Sequence, residues 1–176
     1  MGGTSAPAFS AIFSQLSPTT STSLLEGGFG GDPVVDVAYP ASIWPVSGLS
    51  TPTLGGSVAT GTDNLTTAIG NQEGGTTIVV GISQGTLVAD AEQAYLLTDP
   101  NAPPPGQLTF VMIGDPDRGN GVFAVLFSAH TYIPVLNYVV QDAVASQYNT
   151  VVVVNQYDGV ADFPTGRGIF WLSQTR

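Results

Sequence analysis

The sequence contains no cysteine and no lysine, and it has one histidine and three arginines. Without thiols there can be no disulfide and no thiolate metal site, and the redox compartment leaves no trace. A lone histidine would leave a zinc site to carboxylates almost alone, so neither a metal nor a cofactor is expected. Charge is sparse and one-sided: 9% of residues are charged, and the net charge is −10. A nucleic-acid partner needs a basic stripe to displace counterions, and none exists, so nucleic acid is excluded as a partner. Anionic membrane surfaces are disfavoured for the same reason. No apolar run approaches the ~20 residues of a transmembrane segment. The opening Met1-Gly2-Gly3-Thr4-Ser5 has neither the basic nor the apolar part of a signal peptide.

What is present suits one loop-rich globular domain over residues 1–176, 43% hydrophobic and carrying 22 glycines and 13 prolines. The first thirty or so residues, rich in Ser, Thr, Pro and Gly, read as loop. Val34–Tyr39 reads as a short strand stopped by Pro40, and residues 40–56 as a crossing loop. From Ser57 to Ile69, Val58, Leu65, Ala68 and Ile69 share one helical face. Thr76–Val80 is a β-branched run of the kind buried on both faces of a parallel sheet. A helix follows from Gln84 to about Leu97, with Leu87, Val88, Ala91, Ala94 and Tyr95 as its buried stripe. Leu108–Ile113 is the next strand. Residues 115–149 read as an irregular insertion with a weak helical stretch near Val139–Ala145, and Val151–Val154 as another fully buried strand. The alternation predicts an α/β fold: a parallel sheet flanked by helices, with a long insertion before the last strand.

Gly81-Ile82-Ser83-Gln84-Gly85 matches G-x-S-x-G between a strand and a helix. There the serine sits on a strained turn, and glycines two residues to either side let backbone approach closely. Ser83 is the candidate nucleophile, and the amide of Gln84, at a helix N-terminus, faces a developing oxyanion. The alternative is an ordinary strand-to-helix turn with a capping serine. A serine nucleophile needs a base and a carboxylate to orient it. Asp158 stands just beyond a strand end, where α/β folds assemble their sites, and Asp162 follows in the same loop as the alternative. Either could instead shape the loop through an Asx-turn. Asp115 and Asp117, in an Asp-Pro-Asp sequence, read as turn formers. His130, the sole histidine, precedes Asp158 within the insertion; it reads first as a loop histidine and second as a substitute base.

Together, Tyr39-Pro40-Ala41 with Trp44-Pro45, the Ser83 pentapeptide, Ile113 to Arg118 and Gln156 to Pro164 resemble the PE-PPE domain of mycobacteria. That domain is a serine α/β-hydrolase related in fold to cutinases and lipases. The resemblance runs from residue 1 to about 164. It implies an esterase, lipase-type hydrolase or acyltransferase working through an acyl-enzyme on acyl esters or lipids, in the cell envelope or secreted. It also implies that Met1-Gly2-Gly3-Thr4 corresponds to a segment that closes the family's first strand, so that Gly3 and Thr4 join Gln84 around the oxyanion. In the family the chain continues past the Asp158 loop to a helix and the catalytic histidine, whereas Gly166–Leu172 departs from that pattern. The expectation is a domain clipped at both ends, impaired for want of its histidine. The second reading is an inactive remnant serving as a cell-envelope or binding domain. Oligomeric state leaves no mark on the sequence.

Overall fold

The computed structural model describes residue 1 and residues 34–72, 74–141, 145–156 and 158–164. Three parallel strands lie in the order β1 (Thr77–Ile82), β2 (Leu108–Ile113) and β5 (Asn149–Val153). Their register pairs Val79 with Phe110 and Phe110 with Thr150, so these residues share one face of the sheet. Against that face lies the core: Val79, Leu108, Phe110 and Met112 from the strands, with Leu87, Val88 and Leu96 from α2 (Gln84–Leu96). Phe110 is fully enclosed, so truncating it to alanine would cost ~3–5 kcal/mol.

The second helix layer is α1 (Leu54–Gly70), which begins where the Thr53 hydroxyl accepts the Gly56 amide at 3.2 Å. Gly61 lets α1 come close to α2, for a Cβ there would stand 2.6 Å from a methyl of Val88. A turn further on, Thr66 donates to Glu92 Oε2 at 2.6 Å. Both pairings advance in the same direction, so the two helices run parallel and start at the same end of the molecule.

The insertion is less irregular than its sequence reads. It holds a short helix α3 (Val122–Leu126) and a hairpin of β3 (Tyr132–Ile133) and β4 (Tyr138–Val139), joined by a 3-10 turn over Pro134–Leu136. Val139 therefore lies in a strand and not a helix: Asn137 takes a left-handed conformation, φ 47°, and reverses the chain just before it. Residues 142–144 of that expected helix lie outside the described residues.

Three further expectations are corrected. Val34–Tyr39 forms no strand; the Ala38 carbonyl accepts from the Asn64 side chain at 2.7 Å in place of a ladder partner. The Val151–Val154 run is exposed by 43–46%, because β5 is the last strand of the described sheet and lacks a neighbour on its outer side. Tyr95, expected in the buried stripe of α2, is 47% exposed, while Asp90, Glu92 and Gln93 are buried. Covered on one side by α1 and on another by the insertion, this helix buries polar residues that a one-face pattern assigns to solvent.

Candidate active site

Ser83 is the single residue between β1 and α2, and its backbone is held at φ 52° and ψ −119°. For a serine this conformation costs about 1–3 kcal/mol, and the surroundings impose it. The Ser83 amide donates to the Ile113 carbonyl of β2 at 2.8 Å, and the Ser83 carbonyl accepts the Thr86 amide at 2.8 Å. A Cβ on Gly81 would fall 2.6 Å from the Gly85 carbonyl, so the first glycine of the motif is required by the tight return of the chain. The hydroxyl is not used as a helix cap, which removes the capping alternative. Gln84 opens α2 with its side chain buried, and Nε2 donates to the Ser42 carbonyl at 2.9 Å. That bond ties the crossing loop to the elbow. Ser42 is held in turn by Ser57 of α1, whose hydroxyl accepts its amide at 3.2 Å.

Two aspartate-bearing loops leave the same end of the sheet. In the loop after β2, Asp115 and Asp117 are both buried. Arg118 pairs with Asp90 of α2 and, through Nε, with Asp115 at 3.1 Å. Asp117 Oδ2 accepts the Tyr138 hydroxyl and the Gln141 amide, each at 2.7 Å. The guanidinium thus pairs with two buried carboxylates, and the third is held by uncharged donors. Burial pushes Asp90 up to about 7, with the Arg118 hydrogen bond opposing and the Asp115 charge reinforcing the rise. Burial likewise pushes Asp117 up to about 6, against the hydrogen bonds from Tyr138 and Gln141. This cluster fastens the insertion to α2.

In the loop after β5, Asp158 is half-buried and its Oδ1 accepts the amides of Val160 at 2.8 Å and Ala161 at 3.2 Å. Oδ2 accepts no hydrogen bond among the described residues. It lies 3.6 Å from where a Cβ on Gly114 would sit, directly after the Ile113 carbonyl that holds Ser83. The Asp158 carboxylate and the elbow therefore both border the end of β2. Asp162 accepts from Asn120 Nδ2 at 3.0 Å, and the Phe163 amide donates to the Asn120 carbonyl at 2.7 Å. The Val122 amide donates to the Val160 carbonyl at 2.7 Å. Asp162 is thus part of the clamp between this loop and the insertion.

His130 is exposed, with φ 65°, and its amide donates to the Val140 carbonyl at 2.9 Å. Its ring makes no hydrogen bond to Asp158. Gly3 and Thr4 lie outside the described residues. The sequence reading missed the Asp90–Arg118–Asp115 cluster and the anchoring role of Gln84. An aspartate seven residues after the elbow, facing the only arginine of the central chain, was the available signal.

The fold and elbow define the class: an α/β protein with a strained serine on a strand–turn–helix and acidic loops at the same end of the sheet. Residues 31–168 match the PE-PPE domain, and the chain belongs to that family. It is 49% identical over 132 residues to the SL1278 acyltransferase Chp1 of Mycobacterium tuberculosis, covering 75% of this chain and 32% of that protein. It is 41% identical over 147 residues to the diacyltrehalose acyltransferase Chp2 of the same organism, covering 73% and 40%. With the esterase PE16, also from that organism, it shares 38% identity over 130 residues, covering 71% and 24%. The chain thus spans between about a quarter and two fifths of the length of these relatives. No solved structure matches it significantly.

Proposed function

We propose that this chain carries the reacting end of a serine esterase or acyltransferase that takes acyl groups from ester substrates onto Ser83. The observation that carries the reading is the Ser83 backbone, strained at φ 52° between β1, which is only partly buried, and the start of α2. The names of the relatives, two acyltransferases and an esterase, support ester chemistry. In the reaction the Ser83 oxygen attacks the acyl carbonyl and its proton passes to a base. The Gln84 amide, with Gly3 and Thr4, stabilises the oxyanion, and the alcohol leaves. Water or an acceptor hydroxyl then takes the acyl group from Ser83. Asp158 orients the base, and Asp162 braces the loop that presents it. Acyl lipids are the substrate class, and turnover by these residues is slow because no histidine among the described residues pairs with Asp158.

The position of His130 favours a second reading, a catalytically silent domain with a binding role. The ring is exposed on the insertion and unpaired with Asp158, and it is the only histidine in the sequence. Hydrolysis of p-nitrophenyl butyrate by the chain, by Ser83→Ala and by His130→Ala separates the readings. Slow turnover that disappears in Ser83→Ala and persists in His130→Ala supports the first. Turnover equal in the chain and in Ser83→Ala refutes it.

A further inference from the structure

Exposed apolar residues lie at several places on the molecule, and one set of them stands on the hairpin and the loop before α1. Because α1 and α2 run parallel, the start of α1 lies beside the elbow, and it abuts the hairpin of the insertion. A Cβ on Gly55 would stand 1.7 Å from the Asn137 carbonyl. The hairpin is apolar on both faces. Ile133 and Tyr138, paired across it, are buried, while the other pair, Tyr132 and Val139, is exposed by 53% and 39%. Val135 at the tip is 54% exposed, and Leu49, in the loop leading to α1, is 84% exposed. Polar tips on this rim are already satisfied within it. The Tyr132 hydroxyl donates to Asn137 Oδ1 at 2.9 Å, and Trp44 Nε1 donates to the Leu49 carbonyl at 3.2 Å.

Charge decides what such a rim can meet. From residue 119 to 156 the sequence has no lysine or arginine and a single acid, Asp142, although the whole chain carries −10. An anionic surface would be repelled by the molecule and find no cation on the rim. A polar protein partner would leave Tyr132, Val135 and Val139 facing hydrophilic groups. We propose that the β3–β4 hairpin and the Leu49 loop dock on the surface of an uncharged lipid assembly, and that this docking brings the elbow to the lipid. The proposal rests on the reading of Ser83 only for what docking delivers, and binding is measured apart from chemistry.

The test is flotation of the chain with vesicles of phosphatidylcholine and with vesicles of phosphatidylcholine and phosphatidylglycerol in equal parts. The chain should float with the first and bind the second roughly tenfold more weakly at low salt, recovering as salt screens the repulsion. A Tyr132→Asp/Val139→Asp double variant should lose binding by at least about tenfold while keeping its circular dichroism spectrum. Ser83→Ala should float like the parent. If the double variant fails to fold, Leu49→Asp, in a loop with little to disrupt, should show the same loss. Failure to float with phosphatidylcholine, or binding unchanged in folded rim variants, overturns the proposal. So does a lipid-free dimer that the rim variants dissolve, since the occupant would then be a second copy of this chain. Flotation that persists when Ser83 proves unreactive upholds the docking surface and refutes the reading of the elbow alone.

Discussion

The loops that leave the end of the sheet after β2 and after β5 both carry aspartates, Asp115 and Asp117 in one and Asp158 and Asp162 in the other, and hold them in opposite ways. After β2 the acids turn inward, where Arg118, Tyr138 and the Gln141 amide engage them. After β5 the Asp158 carboxylate fixes its own loop with one oxygen and leaves the other over Gly114, beside the residue that holds Ser83. What separates the two sets of carboxylates here is the cover each loop receives. The insertion closes over the first, whereas it braces the second from the side through Asn120 and Val122.

The comparison can be broken most sharply at Arg118. Replacing it with methionine leaves Asp90 and Asp115 buried without their cation, and should cost ~3–5 kcal/mol of stability. Urea denaturation measures this, and a loss under 1 kcal/mol would mean the cluster is not the fastening described. Asp158→Asn should do the reverse. Ester turnover should fall by no more than ~10-fold, because no histidine pairs with Asp158 for it to orient, with the unfolding midpoint almost unmoved.

Asp117 sharpens the contrast through pH. Its carboxyl titrates near 6 in the folded chain and near ~4 in the unfolded one. The protonated acid therefore stabilises the fold below pH ~4, and this contribution is lost as pH rises through ~6. Asp117→Asn has no such loss, so its stability relative to the parent should climb by ~1–2 kcal/mol between pH 4 and pH 7. Thermal melts of both proteins across that range check the sign. The smallest effect belongs to Asp162→Ala, which removes the exposed hydrogen bond from Asn120 and should cost ~1 kcal/mol. Its ester turnover should fall less than that of Asp158→Asn.

Where local signals agreed, the sequence was easily read. The β-branched run of β1, the Gly-x-Ser-x-Gly elbow and the helix after it point to the same structure at every level, and β2 falls on the residues expected of it. The five residues of α3 and the two-residue strands of the hairpin are too short to set up a period, so the insertion looked shapeless. Val34–Tyr39 has strand composition but pairs with no strand among the described residues. Asp90 and Glu92 were invisible as core residues because burial from two sides is a property of tertiary packing. The candidate nucleophile was legible because strain, glycine spacing and context coincide in five residues. The different hydrogen bonds of Asp158 and Asp162 are a matter of loop packing and left no mark in the sequence.

The most direct test of the central claim, that Ser83 is the reactive group, is labelling with a fluorophosphonate probe followed by peptide mapping. The account predicts one adduct, on the peptide carrying Ser83, forming slowly in the parent chain and absent in Ser83→Ala. An adduct on any other serine, labelling that survives Ser83→Ala, or no adduct at all would contradict it.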